Sequence, residues 1–197
     1  DFYIKEFGAD AFRMYLMFLA PFEQGGDFRD SGILGIERFL MRVWKIYNAN
    51  YAKNNANDAN NELGKILHQT IKKVTEDIEN LRYNTAISAL MILLNEFEKN
   101  QSLLSTSHWS SFLKLLAPFV PHITEEVWSN LGHKNSIHKE KWPEYDGKLI
   151  EETTFELVIQ INGKHRGSVS AAKGITQKSA EDLAKRTANV NKFLQNR

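Results

Sequence analysis

The run His122-Ile123-Thr124-Glu125 has the His-x-x-Glu spacing found at some zinc sites. Two side chains are too few to hold a zinc ion, and no third ligand is apparent in the sequence. A helix that opens after Pro121 and carries acids in its early turns accounts for the run without a metal. Gly163, Gly167 and Gly174 have the wrong spacing for a phosphate loop, and no Gly-Lys-Ser/Thr follows them. Serines, histidines and aspartates are scattered without a nucleophile-elbow pattern. Glu125 and Glu126 are neighbours, so on a helix they diverge by about 100° and do not form a carboxylate pair. The chain has no cysteine, which excludes thiolate ligands, cysteine nucleophiles and disulfides.

The cations are better placed, and the chemistry they suit is phosphate binding. Arg38 and Arg42 are four residues apart, so on a helix both project from one face. Two guanidinium forks one turn apart can grip successive phosphates. The same spacing also suits an ordinary solvated face, and Glu37 could neutralise one of the pair. Lys164 and Arg166 are two apart just after a turn signal, and in a strand such residues share a face. Lys173 and Lys178 stand nearby. Lys72 and Lys73, on the outer face of another predicted helix, complete the candidate set. Trp44, Trp109, Trp128 and Trp142 could stack on bases, although at helical spacing an indole more commonly builds core.

The first 132 residues must supply the helices that carry most of these side chains. Residues 3–20 read as one helix with Phe12, Tyr15, Leu16 and Leu19 on one side, stopped by Pro21 and a Gln24-Gly25-Gly26-Asp27 loop. Asp30 or Ser31 is placed to cap the next helix. There Ile33, Ile36, Leu40, Val43 and Tyr47 form an amphipathic stripe, with Glu37, Arg38, Arg42 and Lys45 off it. Residues 54–61 read as an exposed connection with some helix-start character. A third helix buries Leu63, Ile66, Leu67, Val74, Ile78 and Leu81 and breaks at Tyr83-Asn84, where Asn84 caps a fourth with Ile87, Leu90, Leu94 and Phe97 inward. A fifth covers 107–119, Pro118 and Pro121 split the pattern, and Gly132 sits at a C-cap position. Residues 133–152 read as loop.

The period then changes from 3.6 to 2. Phe155, Leu157, Ile159 and Ile161 alternate with Thr154, Glu156, Val158 and Gln160, which predicts a strand. Asn162-Gly163 predicts a two-residue hairpin turn, and Lys164 to Ser170 the return strand. A helix from Thr176 through Ala188 and a short turn with Val190, Phe193 and Leu194 follow. The fold class is therefore mainly α: a helical bundle over 1–150, then a small α+β module with a β-hairpin over 151–197.

Charge divides along the same line. Residues 1–150 carry 17 Lys and Arg against 19 Asp and Glu, a net of −2, and residues 151–197 carry 8 against 5, a net of +3. A basic terminal module suits a polyanionic partner. The acidic balance of the first part leaves open a helical scaffold that binds protein and not RNA. No apolar run approaches the ~20 residues that span a membrane. The start at Asp1, without Met and already amphipathic, reads as a piece of a longer chain.

Several segments resemble a known family. Gly8-Ala9-Asp10-Ala11-Phe12-Arg13 resembles the segment after the KMSKS loop of class I aminoacyl-tRNA synthetases, where the helical anticodon-binding domain opens. Leu115 through Trp128 (LLAPFVPHITEEVW) and Trp142-Pro143 resemble its far end. Three segments are similar to leucyl-tRNA synthetases: Ser31-Gly32-Ile33 through Gly35 with Arg38-Phe39-Leu40-Met41-Arg42-Val43-Trp44; His68 through Glu79 with Tyr83-Asn84-Thr85-Ala86-Ile87; and Val158 through Gly167 (VIQINGKHRG). The resemblance covers most of the chain, and the HIGH and KMSKS signatures and the editing insertion lie outside it.

It implies a bundle of the class I synthetase anticodon-binding type and a small C-terminal module that is incomplete here. The parent enzyme would ligate leucine to its tRNA with ATP and Mg²⁺, while this part alone would be inactive and hold no cofactor. Its partners would be leucine-accepting tRNA and the catalytic domain of the same chain, in a cytoplasmic monomer with no membrane. Arg38 and Arg42 would lie on the tRNA-facing helix, with Lys164 and Arg166 near the corner of the tRNA.

Overall fold

Helix breakers and one buried carboxylate set the order of the first elements. The computed structural model describes residues 1–21, 23–24, 26–50, 62–151, 154–187 and 190–191. The expected connection at 54–61, Gly25, Ala188, Phe193 and Leu194 lie outside the described residues. Contacts divide the chain into two compact units, Asp1–Ile150 and Glu151–Arg197.

In its described residues the first unit has helices and no strand: α1 (Phe2–Phe7), α2 (Ala9–Phe18), α3 (Asp30–Asn50), α4 (Glu62–Glu79), α5 (Tyr83–Lys99), α6 (Thr106–Leu116), α7 (Pro121–Asn130) and the single turn α8 (Gly147–Ile150). The single helix expected over 3–20 is in fact two, because Gly8 takes φ 84° and ends α1. A residue with a Cβ resists that left-handed conformation. Asp30 does not cap α3 from outside but lies within its first turn, where its carboxylate accepts from the Tyr3 hydroxyl at 2.6 Å. The break before α5 also moves. Tyr83 and Asn84 belong to the helix, and Leu81, at φ 56°, turns the chain between α4 and α5. The stretch expected as loop over 133–152 contains a 3-10 turn at Ile137–Lys139 as well as α8.

The apolar stripes converge on one core. Ile33, Ile36 and Val43 of α3, Ile71 and Val74 of α4, Ile87, Leu90, Leu93, Leu94 and Phe97 of α5, and Phe112, Leu113 and Leu116 of α6 are each at most 1% exposed. Trp109 and Trp128 join them at 4% and 2%. Trp142 instead lies over α4 and donates from its indole to the Thr75 hydroxyl at 2.8 Å. Ser105 and His108 close the start of α6 as a reciprocal capping box.

Two residues of the Gly8–Arg13 segment lock the far end of this unit. The Asp10 carboxylate, on α2, accepts from the backbone N–H of Ile123 at 2.7 Å and of His122 at 3.1 Å, and meets His122 Nδ1 at 2.8 Å. These N–H groups belong to the first turn of α7, which has no side-chain cap from its own N-cap residue, Val120. The carboxylate therefore caps a remote helix, as Ser or Asp ordinarily caps its own. One turn further along α2, the Arg13 guanidinium donates twice to the Pro118 carbonyl, at 3.0 and 3.3 Å. Glu125 faces elsewhere, accepting from the Ser136 hydroxyl and the Ile137 N–H. His122 and Glu125 thus serve different partners.

The second unit is an antiparallel hairpin, β1 (Thr154–Ile161) with β2 (Lys164–Ala172), followed by α9 (Gln177–Arg186). Asn162 and Gly163 turn the chain with φ 53° and 74°, both left-handed as a type I′ turn demands. Thr176 caps α9 by accepting from the Ser179 N–H, and the helix ends at Arg186, short of the Ala188 expected. Among the described residues of this unit, the buried apolar ones are Ile159, Ala171 and Val190, while Phe155, expected to share a face with Ile159, is 38% exposed. One hairpin and one helix bury only part of a sheet face.

Two expected outcomes follow. Asp10→Ala lowers stability to chemical denaturation by about 2–3 kcal/mol, the cost of losing a charged cap with several acceptor bonds; His122→Ala costs clearly less, because the backbone bonds to Asp10 survive. A Cβ at Gly32 would stand 2.6 Å from Cε2 of the buried Tyr15, whereas one at Gly35 meets nothing within 4 Å. Gly32→Ala therefore destabilises by about 1–3 kcal/mol, and Gly35→Ala is neutral or stabilising by up to about 1 kcal/mol, both read from the denaturation midpoint.

Candidate nucleic-acid interface

The buried stripe of α3 fixes which of its residues face solvent. With Ile33, Ile36, Val43 and Ile46 in the core, the exposed face carries Leu34, Arg38, Met41, Trp44, Lys45 and Asn48. Arg38 is exposed; its Nε donates to the Leu34 carbonyl one turn back at 3.2 Å, and it joins no ion pair among the described residues. Its guanidinium remains available to a phosphate.

Arg42 is differently placed. Its Nε and Nη2 donate to the two carboxylate oxygens of Glu98 on α5, at 2.8 and 2.6 Å, and Nη2 also donates to Asn95 Oδ1 at 2.5 Å. This two-point fork is the strong geometry for an arginine and a carboxylate. The hydrogen bond holds the Arg42 guanidinium above its ordinary pKa. It holds the Glu98 carboxyl below the usual carboxylate range, helped by the charges of Arg42 and Lys45. Arg42 thus fastens α3 to α5 and offers solvent a partly neutralised charge. The structure places Arg38 and Arg42 on one helix but does not leave them equivalent.

The α4 pair is similarly occupied. Lys73 Nζ donates to Asp77 at 2.8 Å, and Arg82 meets the same carboxylate at 3.1 Å. Asp77 is 3% exposed on its side chain, so both cations balance a buried charge. Lys72 lies 3.9 Å from Glu76 and 5.9 Å from the centre of the Tyr145 ring.

In the second unit, the hairpin register shifts between Ile159 and Gln160. Ile159 pairs with Gly167, Gln160 with His165, and Ile161 with Lys164. Arg166 is therefore the extra residue of a β-bulge. The uninterrupted alternation from which a shared face follows is broken there. Lys164 is exposed at the turn, and Arg166 is half-buried.

The stripe left Lys45 on the outer side of α3, whereas no motif singled out Glu98, Asn95 or Asp77. The signal available was spacing: Asn95 and Glu98 are three apart off the buried face of α5, and Asp77 is four after Lys73. Among the described residues, no group of three or more His, Asp or Glu is gathered to hold a metal ion. No described helix is long and apolar enough to cross a membrane.

A family profile described as the anticodon-binding domain of tRNA ligase matches residues 60–182, a stretch that runs from α4 into α9. The leucine–tRNA ligase of Dehalococcoides mccartyi is 42% identical over 201 residues, covering 98% of this chain and 25% of that protein. The chain belongs to the leucine–tRNA ligase family. The corresponding protein of Chlorobaculum tepidum is 42% identical over 197 residues, covering 98% of this chain and 24% of that ligase. The chain spans about a quarter of the length of these relatives. Among solved structures, the ternary complex of Agrobacterium radiobacter K84 agnB2 LeuRS with tRNA and LeuAMS superposes with a TM-score of 0.80 at 29% identity, covering 98% of this chain and 27% of that one. The mainly helical bundle with its small hairpin is therefore a fold of the leucine–tRNA ligase family, and the segments around α3, α4 and the hairpin belong to it.

The Arg42–Glu98 pair gives a pH signature. The Glu98 carboxyl is held low in the folded chain, so its contribution is present above its unfolded pKa and is lost as pH falls through the lowered folded value. Both side chains are about a third exposed, at 38% and 34%, so after solvent screening the contribution is below about 1 kcal/mol. Wild type is expected to exceed Glu98→Gln slightly in urea midpoint at neutral pH. The two midpoints converge as pH is lowered beneath the carboxylate range.

Proposed function

We propose that this chain is the tRNA-gripping and tRNA-positioning part of a leucine–tRNA ligase. The observation that carries the reading is the exposed face of α3, where Arg38 and Lys45 join no ion pair among the described residues, on a fold shared with a tRNA-bound relative. Phosphate contacts of this kind orient a nucleic acid and add affinity without reading its sequence. The helical unit, residues 1–150, is the anticodon-binding-type domain. The module 151–197 is a second tRNA contact, with Lys164 exposed at the hairpin turn and the half-buried Arg166 two residues on. Arg42, Lys72 and Lys73 add weaker attraction, because carboxylates already share their charge.

The whole ligase joins leucine to leucine-accepting tRNA with ATP and Mg²⁺, in the cytoplasm and as a monomer. The catalytic step belongs to the rest of the ligase, and no residue described in this chain is assigned to ATP, Mg²⁺ or leucine. What this chain supplies is geometry: a bound tRNA held in one orientation brings its acceptor end to the reacting groups as an effectively intramolecular partner.

Titration with leucine-accepting tRNA at stepped salt tests this. Log affinity should fall linearly with log salt, by just under one unit for each phosphate neutralised. Arg38→Gln should weaken binding and flatten that slope by about one. Glu98→Gln, which removes the charge opposing Arg42, should strengthen binding and steepen the slope. Salt-insensitive binding, or none at low salt, would overturn the tRNA reading and favour a protein-binding scaffold.

A further inference from the structure

The solvent face of α3 is not only cationic. Three of the large apolar side chains left exposed lie on it: Leu34 at 44%, Met41 at 57% and Trp44 at 37%. Positions 34, 41 and 44 are separated by seven and three residues, so they form a strip along the helix. Arg38 and Lys45 are three before and four after Met41, and Arg42 borders them. Two acids adjoin this face; Glu37 is half-buried, and Glu98 is engaged by Arg42. Trp44 also differs from the two indoles of the core. It is held against the buried Tyr47, with ring centres 5.8 Å apart and planes tilted by 49°, yet more than a third of it remains open. A large flat side chain already steadied by a neighbour loses little entropy on making a contact.

We propose that Trp44 is a stacking platform for an unstacked base of the bound tRNA, with Arg38 and Lys45, seven residues apart along one edge of the strip, holding neighbouring phosphates. This rests on the tRNA-positioning reading above and adds to it a contact that phosphate binding does not supply. Indoles flanked by cations are the composition with which proteins hold unpaired nucleotides, because every base has a face to stack. A protein partner fits the strip less well. The exposed apolar area is on the order of 300 Å², against about 800 Å² contributed by each side of a standard protein interface. Cations also border the strip, whereas the core of a protein interface is depleted of charge.

Leucine-accepting tRNA and a blunt, fully paired RNA duplex are the two probes. Trp44→Ala is expected to weaken tRNA binding roughly tenfold with an unchanged salt slope, and to leave duplex binding as in wild type. Trp44→Phe, which keeps a ring, should recover most of the lost affinity. Because Trp44→Ala removes a contact with Tyr47, its thermal unfolding is compared with wild type. If it does not fold, the decision passes to fluorescence: tRNA should quench wild-type emission by an amount missing from Trp44→Phe. Salt-sensitive tRNA binding with neither a loss in Trp44→Ala nor a quench dependent on Trp44 overturns the stacking proposal and leaves the tRNA reading intact, with the strip then a surface for protein. Absence of salt-sensitive binding by wild type overturns both.

Discussion

The Asp10 carboxylate ties two ends of the helical unit together across 113 residues of sequence. A helix start presents N–H groups with no partner inside the helix, and a buried start must find acceptors elsewhere. Here the acceptor is carried by α2, so α7 can begin at Pro121 only where α2 has already been placed. Arg13 acts on the carbonyl that leads into the same helix start, satisfying Pro118 from the same face of α2. Gly8 frees α2 from α1 so that this face can be presented. The negative charge at the positive end of the α7 dipole is favourable on its own account. The Gly8–Arg13 segment and the Leu115–Trp128 segment are thus the two halves of one structural contact.

Charge is partitioned between holding the fold and meeting a ligand. Asp77 is buried and draws on both Lys73 and Arg82. Glu98 draws on Arg42. One contact ties the turn between α4 and α5 to α4 through Arg82, and the other ties α3 to α5. Cations used in this way contribute less field to a distant phosphate. The field offered to a polyanion is therefore weaker than a count of lysines and arginines suggests, and on the proposed α3 face it comes chiefly from Arg38 and Lys45.

Patterns that depend on period were legible in the sequence. The stripe of α3 placed Ile33, Ile36, Leu40, Val43 and Tyr47 inward, and all five are buried. Asn162-Gly163 placed the hairpin turn, since both residues tolerate the left-handed conformation that the turn imposes. Helix boundaries were less legible where they rest on one residue's backbone, as at Gly8 and Leu81. Features that depend on tertiary pairing were hidden altogether. Nothing in the neighbourhood of Arg42 reveals that Glu98 will reach it from 56 residues away. The bulge at Arg166 was equally hidden, because a strand's alternation is read from one chain, while the register that interrupts it belongs to two.

A positioning domain has to be stiff where it meets its ligand, and on the proposed reading α3 would supply stiffness and recognition from one element. Its inner face is fixed by nearly complete burial of Ile33, Ile36 and Val43. Its flank is fixed by the two-point bond from Arg42 to Glu98. What remains free to vary is the outer strip, whose orientation the other two faces decide. A contact made by Arg38 or Trp44 therefore carries its directional constraint through α3 to α5 and the core, and from there through Asp10 to α7. Had the recognition residues sat on a surface loop, the same phosphates could be bound with similar affinity but in many orientations, and affinity without orientation would do little to present the acceptor end of a tRNA.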